Sequence, residues 1–305
     1  MKKWIHLPYV RRSFVTCLLA IAYFNWYANI VGLRTEHVLL FAGAGFCYLW
    51  NDTTRRVLAS FLIFLLFGIL YDALRLYPNH MVNTVHIAEP YLFDKTWFGI
   101  NTDQGRLTLN EYFAQHTNTT ADVVAALFYL SWIPLPFAFA IWLWFNYRPL
   151  FVRFSYAYIM TNLLGFALYY IYPAAPPWYV ELNGFDLQKN VMRSAAGLSN
   201  FDQLIGMPLF ERIYQRNSNV FAAIPSLHSA YPLVTWMYAQ QVRQKWPSIV
   251  FMILSAGIWC SAIYLRHHYI VDVLLGIMTA LAGYYTFEAL RSYTALGKWI
   301  DRLSA

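Results

Sequence analysis

The sequence predicts an all-α, polytopic membrane protein of about eight transmembrane helices, and two features of its composition support this prediction. Of the 305 residues, 59% are hydrophobic and only 12% are charged, whereas charged residues make up about 25% of a typical soluble domain. Aromatic residues reach 19%, and such rings gather where a membrane protein meets the two bilayer surfaces. The composition therefore excludes an ordinary soluble domain.

Eight apolar stretches are long enough, or nearly so, to cross a bilayer as helices. About 20 helical residues span the roughly 30 Å of hydrocarbon. The first stretch follows a basic N-terminus like that of a signal sequence, but no small-residue cleavage site follows, so we expect a retained helix. The second stretch is short, and Pro232 interrupts the sixth. The predicted spans cover residues 14–32, 36–50, 57–74, 122–146, 151–172, 223–242, 248–265 and 268–288.

The basic residues indicate how these helices are oriented. When the N-terminus is placed in the cytoplasm, the cytoplasmic segments hold most of the lysines and arginines, opposed only by Asp52, Glu288 and Asp301. This distribution follows the enrichment of Lys and Arg in cytoplasmic loops, and a count of six helices would break it. We therefore predict eight helices with both termini inside. The net charge of +7 is then explained by topology rather than by binding to nucleic acid.

The predicted helices divide the chain into four regions. Residues 1–75 form N-terminal transmembrane helices, 76–121 an outer-face interfacial loop, 122–290 the membrane core and 291–305 a cytoplasmic tail. The interfacial loop carries scattered aromatic residues and mixed charge. It therefore either lies on the membrane surface as an amphipathic segment or packs onto the helix bundle. A second outer loop, 173–222, leads into the sixth span.

Two short motifs place ionisable side chains beside apolar helices on the outer face, the first at residues 225–228 and the second at 264–272. Such groups are costly at membrane depth and usually mark a site. His268 and Asp272 are four residues apart, which places them on one face of a helix. The carboxylate would then orient the imidazole and make its other nitrogen a better nucleophile or base. With His228 as general acid, the motifs predict phosphoryl transfer through a phosphohistidine.

The start of the sixth span also has features of a phosphate site. Pro225 is typical of the first turn of a helix, and the free N–H groups of such a turn attract anions. Ser226 and Ser229 add hydroxyl donors, and Arg266 and His267 add positive charge from across the bundle.

Other roles of the same side chains remain open. His228 alone would serve as a hydrogen-bonding partner between helices, and His268 with Asp272 would serve as a structural pair. The three together are also a possible set of metal ligands. No further Cys or Glu lies near them in the sequence, so we expect no metal and no cofactor.

The two motifs resemble the second and third signatures of the type 2 phosphatidic acid phosphatase superfamily. Pro-Ser-x-His is matched by residues 225–228. Ser-Arg-x5-His-x3-Asp is matched at Ser261, His268 and Asp272, with Ala262 where the arginine belongs. The first signature, a Lys and an Arg-Pro seven residues apart, is absent. The resemblance covers roughly residues 90–285 and implies a six-helix catalytic core, whose catalytic residues would be His268, Asp272 and His228.

Within this superfamily, the chain looks like the inositol phosphorylceramide synthase branch, which contains the fungal target of aureobasidin A. The motifs Pro-Ser-Leu-His, Tyr-Leu-x-His-His-Tyr-x-x-Asp and Pro-x-x-Pro-Pro-Trp-Tyr carry this likeness. The resemblance, together with the hydroxyl groups and cations near the motifs, leads to one set of substrate-binding candidates. They are Ser226, Ser229, Arg266, His267, Tyr264, Trp178 and Arg216.

The missing cations favour a phosphodiester substrate. A monoester phosphatase holds a dianion, whereas a head-group transferase handles a monoanion. One charge pair at 4 Å is worth about 4 kcal/mol at an effective dielectric constant near 20. A site short of two or three cations is therefore better suited to a diester, unless Arg193, Arg212, Arg216 or Arg266 replaces the missing charges.

The resemblance implies a transferase that moves phosphoinositol from phosphatidylinositol to the hydroxyl of a (dihydro)ceramide and releases diacylglycerol. Its partners would be these lipids and the bilayer. The active site would lie on the non-cytoplasmic face, of a bacterial inner membrane by preference or of a Golgi membrane. Two other functions stay open: a lipid phosphate phosphatase with the same His/His/Asp site, and a non-catalytic binding protein or transporter.

Overall fold

A computed structural model describes residues 8–188, 191, 194–215, 219–295, 297 and 300. This part of the chain is predominantly α-helical, which confirms the predicted fold class. The helices are α1 Pro8–Trp26, α2 Thr35–Trp50, α3 Asp52–Ala73, α4 Ala88–Phe98, α5 Leu109–Gln115, α6 Thr119–Leu130, α7 Pro134–Asn146, α8 Arg148–Ile171, α9 Pro177–Asn183, α10 Leu198–Ile205, α11 Leu209–Gln215, α12 Leu227–Ala239, α13 Trp246–Tyr264 and α14 Ile270–Tyr293. A π-helical turn covers Tyr27–Val31, two 3-10 turns cover Leu74–Leu76 and Asn79–Met81, and a short hairpin pairs β1 Ile100–Thr102 with β2 Gly105–Leu107.

Each predicted span coincides with one or two of these helices, and the chain is a helical membrane protein. Among the described residues, four helices are long and apolar enough to cross a membrane by themselves: α1 with its π turn, α3, α13 and α14. A fifth span arises if α6 and α7, which meet at a 41° bend, cross the membrane together. The helices α2 and α12 have only 16 and 13 residues. The count of eight spans therefore stays a prediction.

The chain divides into two compact units, Met1–Tyr77 and Pro78–Ala305. In the first unit, α2 packs against α1 and α3, and a polar cluster joins the ends of these helices. An Arg34 Nη2 group donates to Asp72 Oδ1 at 2.6 Å, and His37 Nε2 lies 3.0 Å from Asp72 Oδ2. The ring of Tyr27 stacks on His37 at 3.7 Å. These contacts satisfy polar groups that would otherwise be costly to bury.

The second unit is organised around α12, which packs against α8, α13 and α14. Close approach of α12 and α14 depends on Gly276, where an added Cβ would collide with the carbonyl oxygen of Ser226. On the other side of α12, Tyr231 donates its hydroxyl to Asn162 Oδ1 of α8 at 2.5 Å. Buried aromatic rings fill the core between these helices, among them Phe151, Phe154 and Tyr238. A tightly packed core of this kind holds the ends of its helices in fixed relative positions.

Residues 78–118 pack onto the helices of the second unit at the end that carries the two histidine motifs. Asn79 is fully buried, and its Nδ2 donates to the carbonyls of Tyr169 and Phe221 at 2.9 and 2.7 Å. His86 forms a parallel bridge with Ala174, which in turn bridges Ala222. Helix α4 contacts α14, and α5 contacts α13. The sequence left two placements open for this loop, on the membrane surface or packed onto the helix bundle. These contacts are those of a segment that packs onto the bundle.

Candidate active site

The first motif forms the N-terminus of α12. The helix begins at Leu227, so that Ser226 is the N-cap and Pro225 lies before the cap rather than in the first turn. The Ser226 Oγ atom accepts the backbone N–H of Ser229 at 3.3 Å and the Ser229 hydroxyl at 3.0 Å. Both serines are fully buried. Their hydroxyl groups therefore serve the cap itself, as is usual for Ser at this position.

The second motif lies in the turn before α14. This helix begins at Ile270, two residues later than predicted, and His268 precedes it. The contact between His268 and Asp272 is therefore not that of two positions within a regular helix. Asp272 lies in the first turn, where its Oδ2 accepts the N–H of Tyr269 at 2.9 Å and faces His268 Nδ1 at 3.3 Å. One carboxylate thus caps the helix and orients the imidazole.

The two motifs meet through both backbone and side chains. Ser226 donates its N–H to the carbonyl of Asp272 at 3.0 Å. The Nε2 atom of His268 lies 3.1 Å from Nδ1 of His228. Asp272, His268 and His228 therefore form a continuous line of hydrogen-bonding groups. When His268 donates its Nδ1 proton to Asp272, its lone pair is on Nε2, the nitrogen that faces His228.

Aromatic rings pack against His228 and against the neighbouring His267. Tyr129 of α6 stacks on His228 at 4.8 Å and on His267 at 5.0 Å. Tyr214 of α11 stacks on the other side of His267 at 4.7 Å, and Trp132 meets His228 edge-on at 4.4 Å. The sequence analysis selected none of these three aromatic residues, because none lies in a local motif near the histidines.

A small cavity of about 40 Å³ opens at the histidines. His228, His267 and His268 line it together with Trp178, so four of the predicted site residues meet there. Asn219 also lines the cavity and was not predicted. Imidazole and aromatic rings and one amide make up part of the cavity wall, and Pro176, Val220, Ala222 and Ala223 complete it. The imidazole and amide groups are the ones suited to hold a polar or anionic group.

The remaining candidates lie in other environments. Arg266 forms an ion pair with Glu181 at 2.9 Å, and its φ of 63° is in the left-handed region. The hydroxyl of Tyr264 donates to Asp122 of α6 at 2.8 Å. Arg216, Arg193 and Lys189 fall outside the described residues. The structure thus brings together His228, His267, His268, Asp272 and Trp178, while it gives Tyr264 and both serines structural contacts.

An apolar groove of about 710 Å³ runs on the other side of residues 224–225. Helices α4, α8 and α14 form its walls. Apolar side chains such as Phe93, Leu168 and Met278 supply most of its lining, with Glu89 as the charged group. A groove of this volume and lining is typical of sites for apolar ligands.

Comparison with known proteins gives consistent matches. A model of the PAP2 superfamily matches residues 97–286. A phosphoinositol dihydroceramide synthase of Bacteroides thetaiotaomicron is 42% identical over 284 residues, which cover 92% of this chain and 93% of that protein. The inositol phosphorylceramide synthase of Candida albicans is 32% identical over 161 residues, covering 50% of this chain and 34% of that protein.

The catalytic subunit of inositol phosphorylceramide synthase of Saccharomyces cerevisiae is 32% identical over 128 residues, covering 42% of this chain and 31% of that protein. The chain thus spans about a third of the length of these two fungal relatives and nearly all of the bacterial one. No solved structure gives a significant match to the chain.

Proposed function

The chain belongs to the PAP2 superfamily, and from this premise we propose that it transfers phosphoinositol from phosphatidylinositol to the hydroxyl of a (dihydro)ceramide. It is an enzyme of the phosphotransferase type. The observation that carries the proposal is the line of Asp272, His268 and His228, joined by contacts of 3.3 and 3.1 Å. The similarity over nearly the whole chain to a phosphoinositol dihydroceramide synthase supports the choice of substrates.

In the first half-reaction, Nε2 of His268 attacks phosphorus and forms a P–N bond. The bond from phosphorus to the glycerol oxygen of the donor breaks, and His228 gives its proton to that oxygen, so that diacylglycerol leaves as the neutral alcohol. Asp272 stabilises the positive charge that develops on His268 through the contact with Nδ1. The donor monoanion thereby becomes a phosphoinositol group on His268.

In the second half-reaction, His228 acts as the base. It takes the proton of the ceramide hydroxyl, whose oxygen attacks phosphorus and forms the new ester bond. The P–N bond breaks, and the lone pair returns to Nε2 of His268. The two half-reactions together restore every proton, as required of a group that is an acid in one step and a base in the next.

Substrate binding requires the two imidazoles to separate. A distance of 3.1 Å between His268 Nε2 and His228 Nδ1 leaves room for a shared proton but not for a phosphoryl group. We propose that the His228 ring turns away from His268 when the donor binds. His267 and Trp178, which line the same cavity, then contact the phosphate oxygens. Arg266 would reach them by exchanging its partner Glu181 for the phosphate.

The groove between α4, α8 and α14 supports lipid substrates. Its apolar lining fits a hydrocarbon chain that enters sideways from the bilayer, and its end at Pro225 and Val271 lies next to the first turns of α12 and α14. We propose that one chain of a lipid substrate occupies it. The distribution of basic residues supports an active site on the non-cytoplasmic face, and the similarity to a Bacteroides protein supports a bacterial inner membrane.

The proposed function is tested with purified protein and phosphatidylinositol labelled in the inositol ring. Addition of dihydroceramide is expected to produce labelled phosphoinositol dihydroceramide and an equal amount of diacylglycerol. Release of inorganic phosphate from the monoester phosphatidic acid, with no label transferred to dihydroceramide, would instead identify a lipid phosphate phosphatase. Retention of the wild-type transfer rate in His268→Ala would exclude the phosphohistidine mechanism.

A further inference from the structure

Two buried residues of the segment 78–118 hold the turn that carries His268. We propose that Asn110 and Asp94 are positioning residues that aim His268 at His228. The inference rests on the proposed function, because it assigns these residues to the same site. Neither side chain lies in a motif that the sequence analysis singled out, and both come from the loop whose placement the sequence left open.

Asn110 connects the two sides of the turn between α13 and α14. Its side chain, only 3% exposed, donates from Nδ2 to the carbonyl of Ile263 at 2.9 Å and to the carbonyl of His268 at 3.0 Å. An amide NH₂ group has two donors, and both are used here. Ile263 belongs to the last turn of α13, while His268 lies just before α14. A displacement of either end would break one of these hydrogen bonds.

Asp94 holds the other end of the same turn. The residue is fully buried, and its Oδ1 accepts the N–H of Val271 at 3.1 Å. Val271 and Asp272 are neighbours in the first turn of α14, whose N–H groups have no partners within the helix. Asp94, on α4, accepts a hydrogen bond from this turn. Asp272, on α14 itself, accepts the N–H of Tyr269. Two carboxylates, those of Asp94 and Asp272, thus fix the start of α14, next to His268.

The turn needs such external support because its own backbone is irregular. Arg266 is in the left-handed region, with a φ of 63°, which is unfavourable for a residue with a Cβ atom. The N–H groups of His267 and His268 both point to the carbonyl of Ala262, at 3.0 and 3.1 Å. A shared acceptor of this kind leaves the turn with fewer internal constraints than a helix has.

Within the segment 78–118, hydrogen bonds join the helices of Asp94 and Asn110, so that the segment can act as a support. Thr108 and Glu111 form a reciprocal capping box at the start of α5. Glu111 also accepts the hydroxyl of Tyr91 at 2.8 Å, and Lys95 donates to that hydroxyl at 2.6 Å. The helix of Asp94 is therefore joined to the helix of Asn110, and the two contacts with the catalytic turn form one unit.

The required tolerance explains why these contacts matter for catalysis. Productive geometry must be held to within about 0.5 Å, and a misplacement of about 1 Å can lower a rate by roughly 100-fold. His268 must keep the contact between its Nδ1 and Asp272 while its Nε2 comes within bonding distance of phosphorus. The carbonyl that Asn110 holds belongs to His268 itself, so the hydrogen bond acts directly on the residue that forms the P–N bond.

The experiment compares four full-length variants with two controls from the same loop. Asn110→Ala and Asp94→Ala remove the contacts, Asn110→Gln displaces the amide by one methylene, and Asp94→Asn keeps an oxygen acceptor for Val271. Asn101→Ala and Asp103→Asn are matched controls, since both positions are exposed on the hairpin. The measurements are kcat and KM for phosphoinositol transfer, together with the thermal midpoint of each purified protein.

We expect kcat to fall about 10- to 100-fold in both alanine variants, with KM changed by less than about 3-fold. Asp94→Asn should recover most of the wild-type kcat, and Asn110→Gln should fall between Asn110→Ala and wild type. Both controls should match wild type. A wild-type kcat in either alanine variant overturns the inference, as does a loss of activity that merely follows the folded fraction at the assay temperature.

A second substrate separates this inference from the proposed function. A soluble 4-nitrophenyl phosphodiester reports attack by His268 through release of nitrophenolate, without ceramide or phosphatidylinositol. If wild type uses this probe but transfers no phosphoinositol, the proposed function fails while the positioning roles are still measured. In that case an unchanged rate in Asn110→Ala would contradict the positioning role, and a 10-fold or larger loss would support it.

Discussion

His268 and His228 face each other with Nε2 and Nδ1 3.1 Å apart, although they are 40 positions apart in the chain, with most of α12 and all of α13 between them. The contact is possible because Ser226 donates its backbone N–H to the carbonyl of Asp272 at 3.0 Å, which joins the starts of α12 and α14. The close packing at Gly276 keeps these starts together. The pair of imidazoles is therefore a product of helix packing, and its chemistry can be tested residue by residue.

Replacing either member of the His268–Asp272 pair should stop transfer. We expect His268→Ala to lower kcat by about 10⁴–10⁶-fold, to a residual rate that long incubations with labelled donor still detect. Asp272→Asn should lower kcat by about 10²–10⁴-fold, because the amide no longer stabilises the imidazolium. The double variant His268→Ala/Asp272→Asn should be no worse than His268→Ala alone, since the two groups act as a unit. Transfer assays with labelled phosphatidylinositol measure all three. If the loss of kcat in the double variant equalled the product of the losses in the two single variants, His268 and Asp272 would act independently, and a shared role would be contradicted.

His228 should be needed only for the departure of a poor leaving group and for activation of the acceptor. With a 4-nitrophenyl phosphodiester, the leaving phenolate requires no proton, so His228→Ala should still release one equivalent of nitrophenolate in a burst. The second step lacks its base, and a phosphorylated His268 should accumulate. Intact-protein mass measured after rapid mixing detects the added group. The control His268→Ala should show neither the burst nor the added mass, and rapid turnover by His228→Ala would refute the assigned role.

The sequence was sufficient for the fold class and for the approximate positions of the long apolar helices, for physical reasons. Long apolar stretches must become helices in a bilayer because every backbone polar group needs a partner there. His268 and Asp272 lie within five residues of each other, so their proximity was readable from the spacing. The local geometry could not be read from the spacing. Helix α14 starts only at Ile270, and Asp272 contacts His268 as a capping residue in the first turn of this helix.

The residues that sequence reasoning missed reach the site from distant parts of the chain. Tyr129 and Tyr214 contact His267 from α6 and α11, and Asn110 contacts the carbonyl of His268 across 158 positions. No periodicity or local motif encodes such contacts, because they depend on how the helices pack. Arg266 illustrates the same limit, since its ion pair with Glu181 could not be inferred from the motif that contains it.

The ion pair between Arg266 and Glu181 should weaken donor binding. If Arg266 exchanges Glu181 for the phosphate, Glu181→Gln removes a competing anion. The KM for phosphatidylinositol should then fall about 2- to 5-fold at unchanged kcat, as expected for a surface pair worth up to about 1 kcal/mol. Arg266→Ala should raise that KM, and the effect of Glu181→Gln should vanish in its background. An unchanged KM in both single variants would show that Arg266 does not bind the donor.

Filling the apolar groove should discriminate against long lipid chains. Ala167 lines the groove on α8, and Ala167→Trp places a large ring among its apolar walls. We expect the KM for a long-chain lipid substrate to rise about 10-fold, while a short-chain analogue that does not enter the groove is used as before. Leu163→Trp, on an exposed position of the same helix, is the matched control. Equal losses with long and short chains would contradict a chain-binding groove.

Asp94 should make the stability of the protein depend on pH. Burial, together with the negative charge of Asp272, raises the pKa of Asp94 to about 7, although the N–H of Val271 favours the carboxylate. An unfolded Asp has a pKa near 3.9, so the folded protein binds the proton more tightly. The stability that the protonated carboxyl provides is complete below about pH 4, declines as the pH rises towards 7, and does not return above pH 7.

Asp94→Asn isolates this effect because it keeps the shape and an acceptor oxygen but cannot ionise. The difference in thermal midpoint, variant minus wild type, should therefore become more positive from pH 5 to pH 8. The expected change is about 5–10 °C, since the stability lost is about 2.6 kcal/mol and each kcal/mol corresponds to roughly 2–4 °C. Tyr91 and Lys95 on α4, Glu111 on α5, and Tyr269 and Asp272 at the start of α14 face the same site, but they are present in both proteins and their own titrations largely cancel. Midpoints of the purified proteins measured at several pH values, with Asp103→Asn as the control, provide the test. A difference that stays constant between pH 5 and pH 8 would show that Asp94 does not titrate in this range.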